Sequence, residues 1–233
     1  MPAMRKITYL LISMQLWVIT AIAQPAVQNL LVENSHNPVG LDIIMPRFSW
    51  QLVSDKRNVA QTAYAIQVFT AEKGKTPVWS SGKINSAQSV FVPYAGAALQ
   101  SGKKYKWQVQ VWDNVNKTIL LSDTASFQMA FLQASDWKAK WIEPGYKEDS
   151  VMRPSPLFRK EFSANKKIIS ATAYITAHGL YEAQINGHRI SDAYFTPGWT
   201  SYSKRLQYQV YDITNMISKG NNAIAVSLGN GWY

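Results

Sequence analysis

The sequence predicts an all-β protein made of two sandwiches in series, and three observations carry that reading. Apolar and polar residues alternate with a period of two along short stretches. Clusters of Gly, Pro, Asn and Asp separate those stretches. No run of amphipathic helices is present. Composition agrees: of 233 residues, 47% are apolar, 12% aromatic and only 16% charged, which excludes disorder and suits short strands faced with Trp and Tyr. The length accommodates two modest domains, each with its own core.

The chain opens with Arg5 and Lys6, an apolar run from Ile7 to Ile22, and the small-x-small box Ala21-Ile22-Ala23. This is the pattern of a secretory signal peptide over residues 1–23, with the mature chain starting at Gln24-Pro25. No cysteine follows the apolar run, so a lipid anchor is not expected. The mature protein is expected to be periplasmic or secreted, with no membrane association after cleavage. The chain has no cysteine at all, which removes disulfides, thiolate metal sites and a Cys nucleophile. Its net charge of +10 is scattered between strands as a solvated surface, so no nucleic-acid partner is expected.

Residues 25–131 form the first domain of this reading. After a turn-rich opening, Asn34 to Gly40, Phe48, Trp50 and Leu52 alternate on a strand that Pro46 enters. Gln61–Thr70 reads as a second strand and Val78–Lys83 as a short one. Tyr105, Trp107, Val109 and Val111 share a face opposite Lys104, Lys106, Gln108 and Gln110, and Phe127 lies on a last strand. Such spacing suggests a sandwich of the immunoglobulin or fibronectin-III type. Asp113 and Asp123 read as turn residues, and His36 has no neighbours at metal-ligand spacing.

A linker over 132–155 follows, with Trp137, Ala139 and Trp141 alternating at its start. The second domain, 156–233, returns to strand pattern at Leu157–Phe162, Ile168–Ala177 and Leu180–Ile190. Asn186-Gly187 supplies the two residues of a tight hairpin, because both tolerate positive φ. The loop Phe195–Tyr202 carries exposed aromatics. Strands then follow through Leu206, Tyr208 and Val210, and through Ile224, Val226 and Leu228. The last of these runs into Gly229-Asn230-Gly231-Trp232-Tyr233 with no closing element. The domain is therefore expected to be a truncated jelly-roll β-sandwich.

Several motifs, in this order, carry a resemblance. They are Pro46-Arg47-Phe48-Ser49-Trp50, Trp137-x-Ala139-x-Trp141-Ile142, Asn186-Gly187 with Asp192, Pro197-Gly198-Trp199-Thr200-Ser201-Tyr202, and Gly229-Asn230-Gly231-Trp232-Tyr233. Together they resemble the N-terminal region of bacterial α-L-rhamnosidases, over nearly all of the mature chain. The resemblance implies a fibronectin-like and a jelly-roll domain ahead of an (α/α)6-barrel catalytic domain, which would be the missing C-terminal partner. It also implies inverting hydrolysis of terminal α-L-rhamnose, with both catalytic carboxyls in the barrel. No catalytic residue is therefore assigned to this chain.

The acids and histidines here support that. Glu182 sits among outward polar residues, Glu148-Asp149 in a Pro-flanked loop, and His178 and His188 lack a third zinc ligand. What the resemblance leaves is sugar binding. Trp199, Trp232 and Tyr233 could stack on a pyranose of a rhamnose-containing glycan, and Asp192 and Asn230 could offer oxygens. No cofactor is required, and the resemblance allows Ca2+, with Asp192 as its metal ligand. The competing reading has Asp192 capping a turn and the aromatics filling the sandwich edge. A stand-alone carbohydrate-binding protein, a structural scaffold and a β-galactosidase-type module remain open at this point.

Overall fold

The computed structural model describes residues 25–72, 76–115, 119–147, 149, 151–152 and 154–231. The signal-peptide reading for 1–23, and the site residues Trp232 and Tyr233, lie outside the described residues. Among these residues the fold is all-β, with two single 3-10 turns, Ala134–Asp136 and Thr214–Met216.

Nine strands build the first sandwich: β1 (Ala26–Val32), β2 (Val39–Leu41), β3 (Arg47–Val53), β4 (Gln61–Thr70), β5 (Trp79–Ser80), β6 (Val92–Pro93), β7 (Lys104–Asp113), β8 (Leu120–Leu121) and β9 (Ala125–Met129). One sheet has the order β1-β3-β6, and the other β2-β9-β7-β4-β5 with β8 also paired to β7. β2 and β9 run parallel, an immunoglobulin-like feature. The period-two pattern of β7 places Tyr105, Trp107, Val109 and Val111 in the core, all at 4% exposure or less. Phe48 from the facing sheet lies 4.6 Å, ring to ring, from Trp107 and 5.9 Å from Phe127. β4 is covered on both faces: Tyr64, Ile66 and Val68 join the core, and Ala63 stands opposite Trp112.

At the edge of this sandwich Glu33 clamps Arg47 with both carboxylate oxygens, at 2.6 Å on the shortest contact, and also accepts the Arg47 backbone N–H. The Arg47 guanidinium holds the Glu33 carboxyl below the ordinary glutamate range. A depressed carboxylate stabilises the fold above its unfolded pKa, about 4.3, and loses that contribution as pH falls through the lower folded value. Glu33→Gln is therefore expected to be less stable than the parent at pH 7. The gap should close on acidification below that range, as urea midpoints measured across pH would show.

The second domain uses β10 (Leu157–Ala164), β11 (Thr172–Ile175), β12 (Leu180–Ile185), β13 (His188–Arg189), β14 (Gln209–Asp212) and β15 (Gly220–Gly229). They form a four-stranded sheet, β10-β15-β12-β13, and a two-stranded ribbon, β11-β14. The hairpin forms as the sequence predicts, with Asn186 at φ 51° and Gly187 at φ 82°. Asn186 also donates to Met216 O and to Asn222 Oδ1, and accepts from Ala223 N. Asn222 is only 3% exposed and ties the hairpin to the preceding turn through Ser218 N, Ser218 O and Gly220 O. Asn222→Ala strands several of these groups and should cost about 2–3 kcal/mol in denaturant unfolding.

Within the linker the alternating segment from Trp137 to Trp141 forms no strand: Ala139 is exposed, and Trp137 turns towards Phe131 and Tyr208. Two strand expectations change. The strand expected over Ile168–Ala177 is confined to Thr172–Ile175, and the one through Leu206 begins at Gln209. In both cases pairing is limited to the residues that find a partner across the ribbon, Thr172↔Asp212 to Ile175↔Gln209.

That ribbon is covered on both faces, and this joins the domains. Ala173, Ile175, Gln209 and Tyr211 share the face towards the second core, where Ile175 and Tyr211 pack on Tyr181 and Ala183. The opposite face meets the first domain. Tyr174 stacks on Phe131 at 3.9 Å and 7°, and Gln128 donates to the Thr172 hydroxyl. The Phe131 N–H donates to the Tyr208 hydroxyl, which donates in turn to Phe131 O. Lys104 reaches Asp212 at 3.4 Å. Gly40, at φ 87°, lets β2 approach Val210 so closely that a Cβ there would lie 2.7 Å from a valine methyl. No side chain fits that space, and L-residues avoid that φ.

Candidate functional site

The second domain has one end where β12 begins, β15 finishes and the loop 195–207 folds over. Three contacts build it. Thr196 bridges to Tyr181: the Tyr181 N–H donates to Thr196 O, and the Thr196 hydroxyl to Tyr181 O. Thr176 donates to Gln207 O. Gln209 Nε2 donates to Pro197 O at 2.9 Å.

The last contact ends a buried chain. Tyr181, 3% exposed, donates its hydroxyl to Gln209 Oε1 at 3.0 Å and lies 3.0 Å from the Tyr211 hydroxyl. With the Tyr181 proton committed to Gln209, Tyr211 must be the donor to Tyr181. Burial, with Tyr211 beside it, pushes the Tyr181 phenol far up, so it stays protonated as this network requires. The order Tyr211 to Tyr181 to Gln209 to Pro197 thus anchors the loop to the core. Tyr181→Phe leaves Gln209 Oε1 and the Tyr211 hydroxyl short of a partner. It should lower stability by about 1–3 kcal/mol, read from thermal or urea unfolding.

Rings gather at the same end. Trp141 meets His178 edge-on at 4.9 Å, and His178 stacks on Tyr202 at 6.2 Å. Gly231 passes so close to Gly179 that neither backbone leaves room for a side chain at Gly231. Trp199 is 72% exposed and Phe195 75% exposed, Phe195 at φ 58°. Sequence reading marked the loop and Trp199. It did not find Tyr181, Gln209 and Tyr211 as the support, because it took Tyr208 and Val210 as the informative face of their strand.

Of the sequence-predicted residues, Trp199 and Asn230 both belong to this end. Asn230 follows Gly229, which pairs with Leu180 at the start of β12. Asp192 lies further along the edge, between Ile190, which bonds to Ala183, and Thr196. It is exposed and close to Arg189, whose guanidinium sits 4.4 Å over the Tyr194 ring and donates to Ala193 O. Tyr194, then Glu182 and Asp192, hold the arginine charge in place. Asp192 lies on the β13 side of β12 and Asn230 on the β15 side. Among the described residues no three His, Asp or Glu side chains gather as a metal site. No such group gathers with Asp192 towards the six to eight oxygens of a calcium cage among the described residues.

Four carboxyls are shifted from the ordinary range by their hydrogen-bond partners and neighbouring charges. Those of Glu33, Asp136, Asp149 and Asp212 are all displaced downward. Hydrogen bonding does this for Asp136 through Ser101, and for Asp149 through two backbone N–H groups. At Asp212, Thr214 and Lys104 outweigh the upward effect of burial. A general acid in glycoside hydrolysis needs the opposite displacement. A cleft of about 310 Å³ lies at the domain junction between Val39, Gly40, Asp42 and Tyr208, Gln209, Val210.

Comparison with known proteins accounts for both domains. Residues 27–133 match the family "Rha78A-like, N-terminal immunoglobulin domain", and residues 166–233 match "Alpha-L-rhamnosidase N-terminal domain". An α-L-rhamnosidase of Formosa agariphila is 36% identical over 225 residues, covering 92% of this chain and 24% of that protein. One of an Alteromonas species is 37% identical, covering 84% and 23%. Among solved structures, the α-L-rhamnosidase of Dictyoglumus thermophilum aligns with a TM-score of 0.77 and 37% identity, over 89% of this chain and 25% of that one. The enzyme of Aspergillus terreus aligns with a TM-score of 0.77 and 32% identity, over 90% and 24%. This chain therefore spans about a quarter of the length of the relatives it matches. In sequence and in fold it corresponds to the N-terminal two-domain region of the α-L-rhamnosidase family.

Proposed function

We propose that this chain is the non-catalytic N-terminal region of an exported α-L-rhamnosidase. In that reading the enzyme removes terminal α-L-rhamnose from glycosides or polysaccharides by an inverting mechanism. The observation that carries it is the match of both β-domains, in order, to rhamnosidase N-terminal domains across most of the chain and only a quarter of the relatives. Inversion needs a protonated carboxyl and a second carboxylate about 6.5–9.5 Å apart to leave room for water. Export is read from Arg5, Lys6, the apolar run and Ala21-Ile22-Ala23.

Within this region we assign a carbohydrate contact to the end that carries Trp199 and Asn230, with Trp232 and Tyr233 following in sequence and Asp192 along the edge. An exposed indole offers a flat face to the C–H face of a pyranose, and neighbouring amide and carboxylate groups orient its hydroxyls. The mature chain is expected to release no aglycone from an aryl α-L-rhamnoside. Calorimetric titration with L-rhamnose should show saturable binding that Trp199→Ala weakens by about tenfold, equivalent to about 1.4 kcal/mol. Turnover by this chain would end the non-catalytic reading. Binding indifferent to Trp199 would move the sugar contact elsewhere.

A further inference from the structure

We infer that the end of the second domain formed by the start of β10, the start of β12 and the exit of β15 is the surface against which the rest of a rhamnosidase polypeptide packs. This rests on the function proposed above and names the surface and its occupant. The two ends of the four-stranded sheet differ in chemistry. At the β12-start end, Leu157 is 80% exposed, Trp141 63%, Ile142 72% and Phe195 75%. Register and ring contacts bring Leu157, Trp141 and Phe195 to one end, with Ile142 next to Trp141 in sequence. Leu157 pairs with Ser227 near the exit of β15, the Trp141 ring rests on His178 beside Gly179, and Phe195 precedes the Thr196 bridge to Tyr181. The opposite end carries the Asn186-Gly187 turn and exposed Lys166, Lys167 and Lys219, with Ile169 at 88% and Phe162 at 37% as its large exposed apolar residues among those described.

Exposed apolar side chains concentrated at one end of a domain mark an interaction surface. The phenylalanine adds to this, because Phe195 holds a left-handed backbone conformation that a glycine would adopt without strain, yet presents a ring to solvent. The occupant follows from the relatives. About three quarters of their length lies outside the part this chain matches, and the matched families are N-terminal domains. Polypeptide continuing from β15 would emerge at this end, beside Gly179, among these four side chains. Trp199, at the same end, then stands at the seam between the β-domain and that polypeptide, which places the proposed sugar contact at a domain junction, where ligand sites commonly form.

The test compares the isolated chain with a chimera in which it replaces the matching quarter of the Dictyoglumus thermophilum enzyme. Hydroxyl-radical footprinting should show Trp141, Leu157 and Phe195 modified at least about fivefold more slowly in the chimera, with Ile169 unchanged, as expected for an apolar interface core against a solvated end. Equal rates in a chimera that still hydrolyses an aryl rhamnoside would overturn the docking surface and leave the proposed function standing. Hydrolysis by the isolated chain would instead overturn the function.

A second measurement needs no chimera. Leu157→Ser with Phe195→Ser should roughly halve binding of an apolar dye to the isolated chain without changing its far-ultraviolet spectrum, while Ile169→Ser should not. Undiminished dye binding would overturn the proposal. Protection of these residues in the isolated chain that disappears on dilution would do the same, assigning the surface to a second copy.

Discussion

Replacing Phe131 with Ala is expected to split the unfolding of this chain into two calorimetric transitions and to cost about 2–4 kcal/mol. Phe131 is the first-domain side of the junction. Its ring stacks on Tyr174 at 3.9 Å, meets Trp137 edge-on at 5.2 Å, and its backbone is held by the Tyr208 hydroxyl. Truncation removes a stack and leaves a gap that Trp137 and Tyr208, themselves 5.1 Å apart, cannot both fill. The links that remain, the backbone bonds of residue 131 to the Tyr208 hydroxyl, Gln128 to Thr172, the half-exposed pair Lys104–Asp212 and the approach of Gly40 to Val210, bury less apolar surface than the lost ring stack. Because the ribbon is the second layer of the downstream sandwich, its loosening should lower the second domain's transition more than the first. A single transition at an unchanged temperature would show that the junction contributes little.

Trp107→Ala should be the most damaging change in the first domain, at about 3–5 kcal/mol, whereas Trp107→Phe should cost much less. Trp107 is fully buried between Phe48 and its strand neighbours. Its indole N–H meets no acceptor among the described residues. Alanine leaves a cavity in a close-packed core. Phenylalanine keeps most of the ring and removes the unsatisfied donor, so part of the lost packing is offset. Chemical denaturation of both variants checks this directly, and equal losses would mean that the phenylalanine ring recovers none of the lost packing.

Much of this was legible along the chain. The alternation of Tyr105, Trp107, Val109 and Val111 determined which face of β7 is buried, since successive side chains on a strand must point to opposite sides. Asn186-Gly187 determined the hairpin, because few other pairs take two positive φ values without strain. The ordered motifs, rather than any single residue, determined the family.

Tertiary structure decided what period two could not express. Residues 172–175 and 209–212 are apolar or polar on both faces because both faces are covered, one by Tyr181 and Ala183, the other by Phe131 and Gly40. A strand between two cores has no solvent side, so its pattern does not reveal which residues face which partner. The same holds for Trp137 in the linker, where contact with Phe131 and Tyr208, not local alternation, governs where it lies. At the candidate site the sequence determined that aromatic and oxygen-bearing residues are present in the loop and after the last strand. Only the fold brought Trp199 and Asn230 to one end and set Asp192 on the other side of β12, because strand register sets such placement and side-chain identity does not.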